Sequence, residues 1–468
     1  MHHSFLTASG IYVLTFSLEN LLLKGEFSQV NTIRYLNYWL KSIKYHSPGA
    51  SLMLIGTHLD SVKESVSDLQ KEMSHVDNIL GMIVYPKLQV GKEAIKMKGA
   101  IDAANDFAKT LDEQGGTVTD RKLNVLQDDK RLFFAVDLSG SNNKTVEAVR
   151  KKLDESAPKQ EYFAKSVPAK WMKFLDLMIT DGHNWIEASK VKACAAETLK
   201  GSDDIEKETV QALDLLHELG YIIHITNLKS YKGCVITNPH WLVDATTKIM
   251  YNEDVKKFDD DQAAKAGLSE DVKNGLKKGL ISRNLLEFLW GEQDVGFFLK
   301  FLEQNLLMCR WGFDKDKKKP NYIVPSLVPR MNSRVDGPDS IDKSELKAYF
   351  TFGNYLTLGV FERLVCQVIQ STLSGFPESK APKIYAGYSH HYLGDDFEFA
   401  LRRENNFIVC SVLSSKKAPI KCVTRLLKMF QKLGDLLGKG FSVNTSLIVD
   451  KEYVEYSQVK AKKMAPWY

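Results

Sequence analysis

The stretch Ser51-Leu52-Met53-Leu54-Ile55-Gly56-Thr57-His58-Leu59-Asp60 constrains the fold more than any other part of the chain. Its first half is apolar without polar alternation, so the strand it predicts must be covered on both faces, as in a parallel α/β sheet. Its polar half then falls at the carboxyl end of that strand, where open α/β sheets place ligands. The flanking segments agree. Gly10 to Phe16 predicts a second buried strand. Asn31 to Tyr45 predicts a helix, with Ile33, Leu36, Leu40 and Ile43 at spacings of three and four, ended by Pro48-Gly49. Asp60 or Ser61 can cap a further helix reaching about His75 through Val62, Val66, Leu69 and Met73. A long middle section over 76–130 carries helical segments and a break at Gly115-Gly116. Arg131 to Asp137 then predicts a strand and Lys144 to Glu155 an amphipathic helix, which continues the α/β alternation.

The pattern changes near residue 158. Helices are predicted at Trp171 to Ile179 and Ile205 to Leu219, the latter ended by Gly220. Tyr221 to Ile225 and Cys234 to Ile236 predict a small hairpin, and Pro239 opens a helix to Met250. Helix, hairpin, helix gives a winged-helix-like unit. Further helices are expected over 268–310, then a charged loop from Asp314 to Pro320 and a linker from Met331 to Asp342. Beyond it come a strand at Ala348 to Phe352 and a helix at Leu356 to Thr372. Alternating strands follow at Lys383 to Tyr392, Phe397 to Arg403 and Phe407 to Leu413. A basic amphipathic helix at Ile420 to Leu437 and a strand at Thr445 to Asp450 complete an α+β region.

With 468 residues, three domains are expected: 1–157, 158–335 and 344–468. A net charge of +5 is small for this length and does not by itself point to nucleic acid. The helix opened by Pro239 offers only Lys248 beside Asp244, with Lys229 and Lys232 on the loop before it, a thin footprint for DNA. The run from Lys416 to Lys432 is more basic, which leaves a partner or a peripheral membrane contact open. No apolar run reaches the roughly 20 residues of a membrane span, and the start of the chain does not read as a signal peptide. Six single cysteines without C-x-x-C suit reduced thiols in a cytoplasmic protein. His2-His3 and His390-His391 are adjacent pairs, and neighbours on a strand face opposite ways, so no metal site is expected from them.

Thr57, His58 and Asp60 are the candidate site residues. An Asp two places past a His, on such a turn, can accept from the N1–H and exocyclic amine of guanine while the imidazole lies against the purine. A strand-to-helix turn capped by Asp60 would show the same residues, and both readings stand at this point.

The T-H-x-D form of this motif resembles the base-reading turn of the Roc (Ras-of-complex) domains of Roco proteins. His3-Ser4-Phe5-Leu6-Thr7 before the Ile11–Leu14 strand resembles the Roc segment after switch II, and Trp39-Leu40 with Ser42-Ile43 and Pro48 continue the match in order. Ala212 to Gly220 and Val235 to Val243 resemble parts of the COR (C-terminal-of-Roc) domain. Val136-Asp137-Leu138-Ser139 lies where the family's second base-side loop would be, or is a plain strand end with a turn.

The resemblance implies an α/β partial Roc domain, then a mainly helical winged-helix-like COR-A region and an α+β COR-B region. It implies guanine-nucleotide binding (GTP/GDP) and slow GTP hydrolysis in a complete parent, a homodimer through COR, and signalling partners. Some relatives carry a Ser/Thr kinase, and no kinase motif set occurs here. The chain departs from the family in one respect. No G-x-x-x-x-G-K-S/T occurs, and the match begins just after the point where Asp-x-x-Gly should end. As written, the chain is therefore expected not to hold a triphosphate in the family's manner, with no cofactor fixed for it and no catalytic residue named, and to leave a sheet edge open. A non-catalytic interaction scaffold built on COR is the alternative, and a winged-helix nucleic-acid binder ranks below both.

Overall fold

Two seven-residue strands, β1 (Ile11–Ser17) and β2 (Ser51–Thr57), lie parallel in the computed structural model, with Ile11 opposite Ser51 and Ser17 opposite Thr57. The structure describes residues 6–7, 9–47, 49–84, 124–128, 131–139, 144–160, 162–163, 166–226, 231–249, 260–313, 321–330, 344–352, 356, 359–404, 407–437, 441, 443–449 and 452–462. The chain divides into two compact units, residues 1–224 with 235–237, and residues 225–234 with 238–468.

In the first unit, β1 is followed by α1 (Leu18–Leu22) and α2 (Gly25–His46), and β2 by α3 (Leu59–Ser65) and α4 (Leu69–Val84). The far edge of β2 is shared, its first half pairing with β3 (Asn124–Leu126) and its second with β4 (Phe133–Ala135), all parallel. The strand period of two sends Leu52 and Leu54 to one face, into a core with Leu14, Phe16, Leu36 and Val76. Met53 goes to the other face, with Phe134, Val136 and Val149 of α5 (Lys144–Ser156). Both faces are covered, which is why β2 reads as an unbroken apolar run. Among the described residues β1 pairs with β2 alone, so it is an edge strand, and Val13 is 45% exposed there.

The same unit continues with α6 (Ala169–Ile179), β5 (Trp185–Ile186), α7 (Ala188–Thr198), α8 (Ile205–Glu218), β6 (Ile223–His224) and β7 (Val235–Ile236). The short strands pair antiparallel in the order β5-β7-β6. The helices close on Phe174, Met178, Ala212, Leu216 and Val235. Glu208 ties α8 to α6, accepting from Lys170 Nζ at 2.8 Å and from Trp171 Nε1 at 2.8 Å.

The second unit opens with α9 (Pro239–Thr247), N-capped by Asn238. It continues with α10 (Asp260–Lys265), α11 (Ser269–Lys278), β8 (Leu280–Ser282), α12 (Arg283–Trp290), α13 (Glu292–Gln304), β9 (Cys309–Trp311) and β10 (Asn321–Ile323). Trp241, Trp290, Phe297 and Phe298 pack edge and face, with the Trp241 and Phe298 centroids 4.4 Å apart. A seven-stranded antiparallel sheet follows, built from β11 (Leu346–Thr351), β12 (Lys383–Tyr385), β13 (Tyr388–Leu393), β14 (Phe397–Arg403), β15 (Phe407–Ser415), β16 (Asn444–Val449) and β17 (Glu452–Glu455). Its spatial order is β12-β13-β14-β15-β11-β16-β17. Helices α14 (Val360–Gly375) and α15 (Ile420–Leu437) share one core with it, and α16 (Tyr456–Lys462) adds Val459 to that core.

Several expectations are corrected. The helix expected from Asp60 to about His75 is two helices, because Val66 is extended (φ −113°, ψ 144°) and Asp68 starts a new turn by accepting from Lys71 N. Neither Asp60 nor Ser61 is the cap, since His58 occupies that position in the left-handed region. The strand expected at Lys383 to Tyr392 is a hairpin turned at Ala386-Gly387, where Gly387 has φ +76°. Helix α2 starts six residues before Asn31, at Gly25. Gly115-Gly116, the loop 314–320, the linker 331–342 and His2-His3 lie outside the described residues. His390 pairs with Glu398, while His391 is buried against Phe399 on the opposite face of β13.

Candidate functional site

The candidate residues sit where β2 ends. Gly56 lets α1 pack directly onto the strand end, because a Cβ there would lie 2.8 Å from the Leu18 side chain. Its carbonyl accepts from Val136 N at 2.7 Å, and Leu59 N donates to the Val136 carbonyl at 3.2 Å. The turn is thus tied to the end of β4 on one side. On the other, the Thr57 hydroxyl donates to the Phe16 carbonyl at 3.1 Å. His58 turns the chain with φ 60° and ψ 39°, a conformation that costs a residue with a Cβ roughly 1 kcal/mol. Its Nδ1 lies 3.0 Å from Thr57 Oγ1, and its ring is exposed. Asp60 follows in the first turn of α3, where a carboxylate suits the helix dipole.

The loop Val136–Ser139 is brought alongside by the same backbone bonds. Asp137 forms a tight turn, accepting from the Ser139 hydroxyl and backbone N–H, and Lys63 Nζ lies 3.9 Å away. The Ser139 bonds, with Lys63 as a smaller influence, hold the Asp137 carboxyl below the usual carboxylate range. Leu138 at the tip is 68% exposed. The arrangement offers an acceptor (Asp60), a flat ring (His58) and an apolar tip (Leu138) around the ends of two adjacent strands.

A groove of about 500 Å³ adjoins Thr57 on the β1 side, lined by Thr15, Phe16, Ser17, Asn20, Ser28, Asn31, Thr32 and Tyr35 besides Thr57. None of these residues is charged. Lining of this kind can hydrogen-bond but cannot neutralise phosphate. The structure places Thr57, His58 and Asp60 next to one another on one turn; sequence reasoning named these three as candidate site residues and no others. It missed the groove, whose residues come from three separated segments, and it missed Lys63, one turn into α3. Among the described residues no group of three or more His, Cys, Asp or Glu could hold a metal ion, and no helix is long and apolar enough to cross a membrane.

Residues 168–328 match the family model for the C-terminal of Roc, COR-A domain. Over that stretch the chain is similar to COR-A domains. Over 265 residues it is 22% identical to a probable serine/threonine-protein kinase, pats1, of Dictyostelium discoideum, a match covering 54% of this chain and 6% of that protein. The chain thus spans a small fraction of the length of the curated relative it matches. Among solved structures it is similar to the Roco2 RocCORdC of Methanosarcina barkeri bound to GDP, at 15% identity, covering 70% of this chain and 75% of that one, with a TM-score of 0.38.

Proposed function

We propose that this chain is the Roc–COR module of a Roco-type protein, a guanine-nucleotide-binding and dimerisation unit within a complete parent. In this reading residues 1–157 are the carboxyl half of a Roc domain, 158–335 a COR-A region with a winged-helix-like unit, and 344–468 the α+β COR-B region. The observation that carries it is the Thr57–His58–Asp60 turn at the carboxyl end of the parallel strand β2, tied through Val136 to a second loop. These residues fit a guanine base: the Asp60 carboxylate accepts from N1–H and the exocyclic amine, and the His58 ring lies against the purine. The groove residues beside them do not fit a triphosphate, so no hydrolytic step is assigned to this chain and none of its residues is given a catalytic role. That same uncharged lining favours the second reading, an interaction scaffold that keeps the COR regions without a nucleotide switch. Homodimerisation through COR, signalling partners and a cytoplasmic setting belong to the first reading.

Titration calorimetry with GDP on this chain and on Asp60→Ala tests the reading. Binding in the micromolar range, weakened about 100-fold or more in the variant, supports base recognition by this turn. No binding by the unaltered chain refutes nucleotide recognition by this chain and leaves the scaffold.

A further inference from the structure

Helix α15 is amphipathic along its whole length, and its charged residues are not spread over the outer face. With about 100° per residue, Lys421, Arg425, Lys428 and Lys432 fall within an arc of about 60°. The stripe they make is roughly 16 Å long, about the length of five extended residues. Among the described residues no carboxylate pairs with Lys421, Lys428 or Lys432, whereas Lys416 and Lys417 at the helix approach are paired with Asp395 and Asp396. Arg425 is held in place over Phe376 and Phe397, at 5.3 and 5.7 Å from the ring centroids.

Lys432 also lines a cleft of about 630 Å³ between α15, α14 and the end of α13, as does Arg310. Leu306, Leu373 and Leu436 supply its apolar lining. That lining is preformed. Leu306 is fixed at φ 56° with its side chain in the core, and Gly312 lies so close to Leu373 that a Cβ would come within 2.9 Å. Two acids face the cleft, Asp435 on α15 and Glu303 beside Arg310. Burial pushes the Glu303 carboxyl up, and Arg310 beside it works the other way.

We propose that this stripe and cleft dock an acidic peptide segment of a partner protein, with one bulky apolar side chain of that peptide seated among the leucines. Charge complementarity argues for an anionic occupant. The shape argues for a linear one, because a bilayer meets a broad patch, and a narrow stripe ending in an apolar recess matches a chain with an anchor residue.

The test is fluorescence anisotropy of a labelled peptide of Asp and Glu interrupted by one Leu, titrated with the full chain at low and physiological salt. Saturable binding is expected, weakened by salt. It should fall about 10-fold or more with Lys428→Glu combined with Lys432→Glu, both exposed positions whose fold is checked by circular dichroism. It should also weaken when the peptide Leu is changed to Ser. No binding at low salt, or binding indifferent to the double reversal, overturns the proposal. Sedimentation with phosphatidylserine vesicles, or shift of an oligothymidylate, by a chain that ignores the peptide would overturn it in favour of a lipid or nucleic-acid surface.

Discussion

Arg363 gives a sharp test of how the second unit is held together. It lies on α14 with 1% of its surface exposed, and its Nε donates at 3.0 Å to the carbonyl of Asn305, the residue that ends α13. A cation suits that carbonyl, which is among those left unpaired at a helix carboxyl end. Its Nη1 occupies the space a Cβ on Gly359 would need, at 2.5 Å, and its Nη2 has no hydrogen-bond partner. Burial pulls the guanidinium from 12.5 down to about 10, so it remains charged near neutral pH. The shift means the charged form is disfavoured by about 3 kcal/mol. A charge-assisted hydrogen bond contributes about 1.5–3 kcal/mol and the helix end up to about 2. These opposing effects nearly cancel, so the charge itself should add little and the packed stem most of what the side chain contributes. Arg363→Met should therefore cost under about 1.5 kcal/mol, while Arg363→Ala, which leaves a cavity, should cost about 2–5 kcal/mol. Because the chain has two compact units, a single melting curve is not a two-state quantity. Hydrogen exchange of peptides spanning α13 and α14 is the assay. Protection should fall roughly 30-fold or more in the Ala variant and about 10-fold or less in the Met variant. Equal losses in both would show that the buried charge and its Asn305 bond dominate, and would refute the cancellation.

Three further expectations follow from single contacts. Gly56→Ala should destabilise the first unit by about 1–3 kcal/mol through the clash with Leu18, and Leu18→Ala in that background should recover part of the loss, read by exchange of β1 and β2 amides. The Lys170 hydrogen bond, with those of Ser202 and Trp171, holds the Glu208 carboxyl down to about 2 from an ordinary 4.5. Its contribution is fully present above the ordinary value and is lost as pH falls toward the lower one, so acid should loosen α6 from α8. In Glu208→Gln that pH dependence should vanish from the exchange of α8 amides. His391 is neutral in the fold, pushed from 6.5 to about 3 by burial and by His390 beside it. The unfolded chain takes up its proton first, so stability should drop below about pH 6.5 by at most ~1.4 kcal/mol per pH unit. His391→Phe, placed against Phe399, should flatten that slope in the exchange of β13 and β14 amides.

Much of the fold was legible where the signal is local and long. The apolar run of β2 demands cover on both faces, and the three- and four-residue spacing of Ile420, Val423, Leu426, Phe430 and Leu433 fixes α15 from end to end. The short strands β5, β8, β9 and β10 have two or three residues each, too few to show a period of two, and their pairing comes from the chain around them. Helix α7 escaped because its buried face is Val191, Cys194 and Ala195, small residues amid lysines and glutamates. The failure at His58 is of another kind. A left-handed residue that is not glycine leaves little trace in sequence, so sequence reasoning places the cap two or three residues too late, on the side chains of Asp60 and Ser61.

The same distinction separates the two halves of the candidate site. The proposed base contacts need a few groups on one turn, and a turn is contiguous in sequence, so Thr57, His58 and Asp60 stand out as candidates in the sequence itself. Phosphate recognition needs charge gathered from separate segments, and the groove beside Thr57 gathers only hydroxyls, amides and rings. In-register pairing of β1 and β2 sets Ser17 level with Thr57, so the floor of the groove is two neutral strand ends. An affinity built on such a floor comes from hydrogen bonds and stacking, which salt screens little. GDP binding that weakens steeply with salt would therefore locate its contacts on cations elsewhere, and binding that does not would place them on the turn.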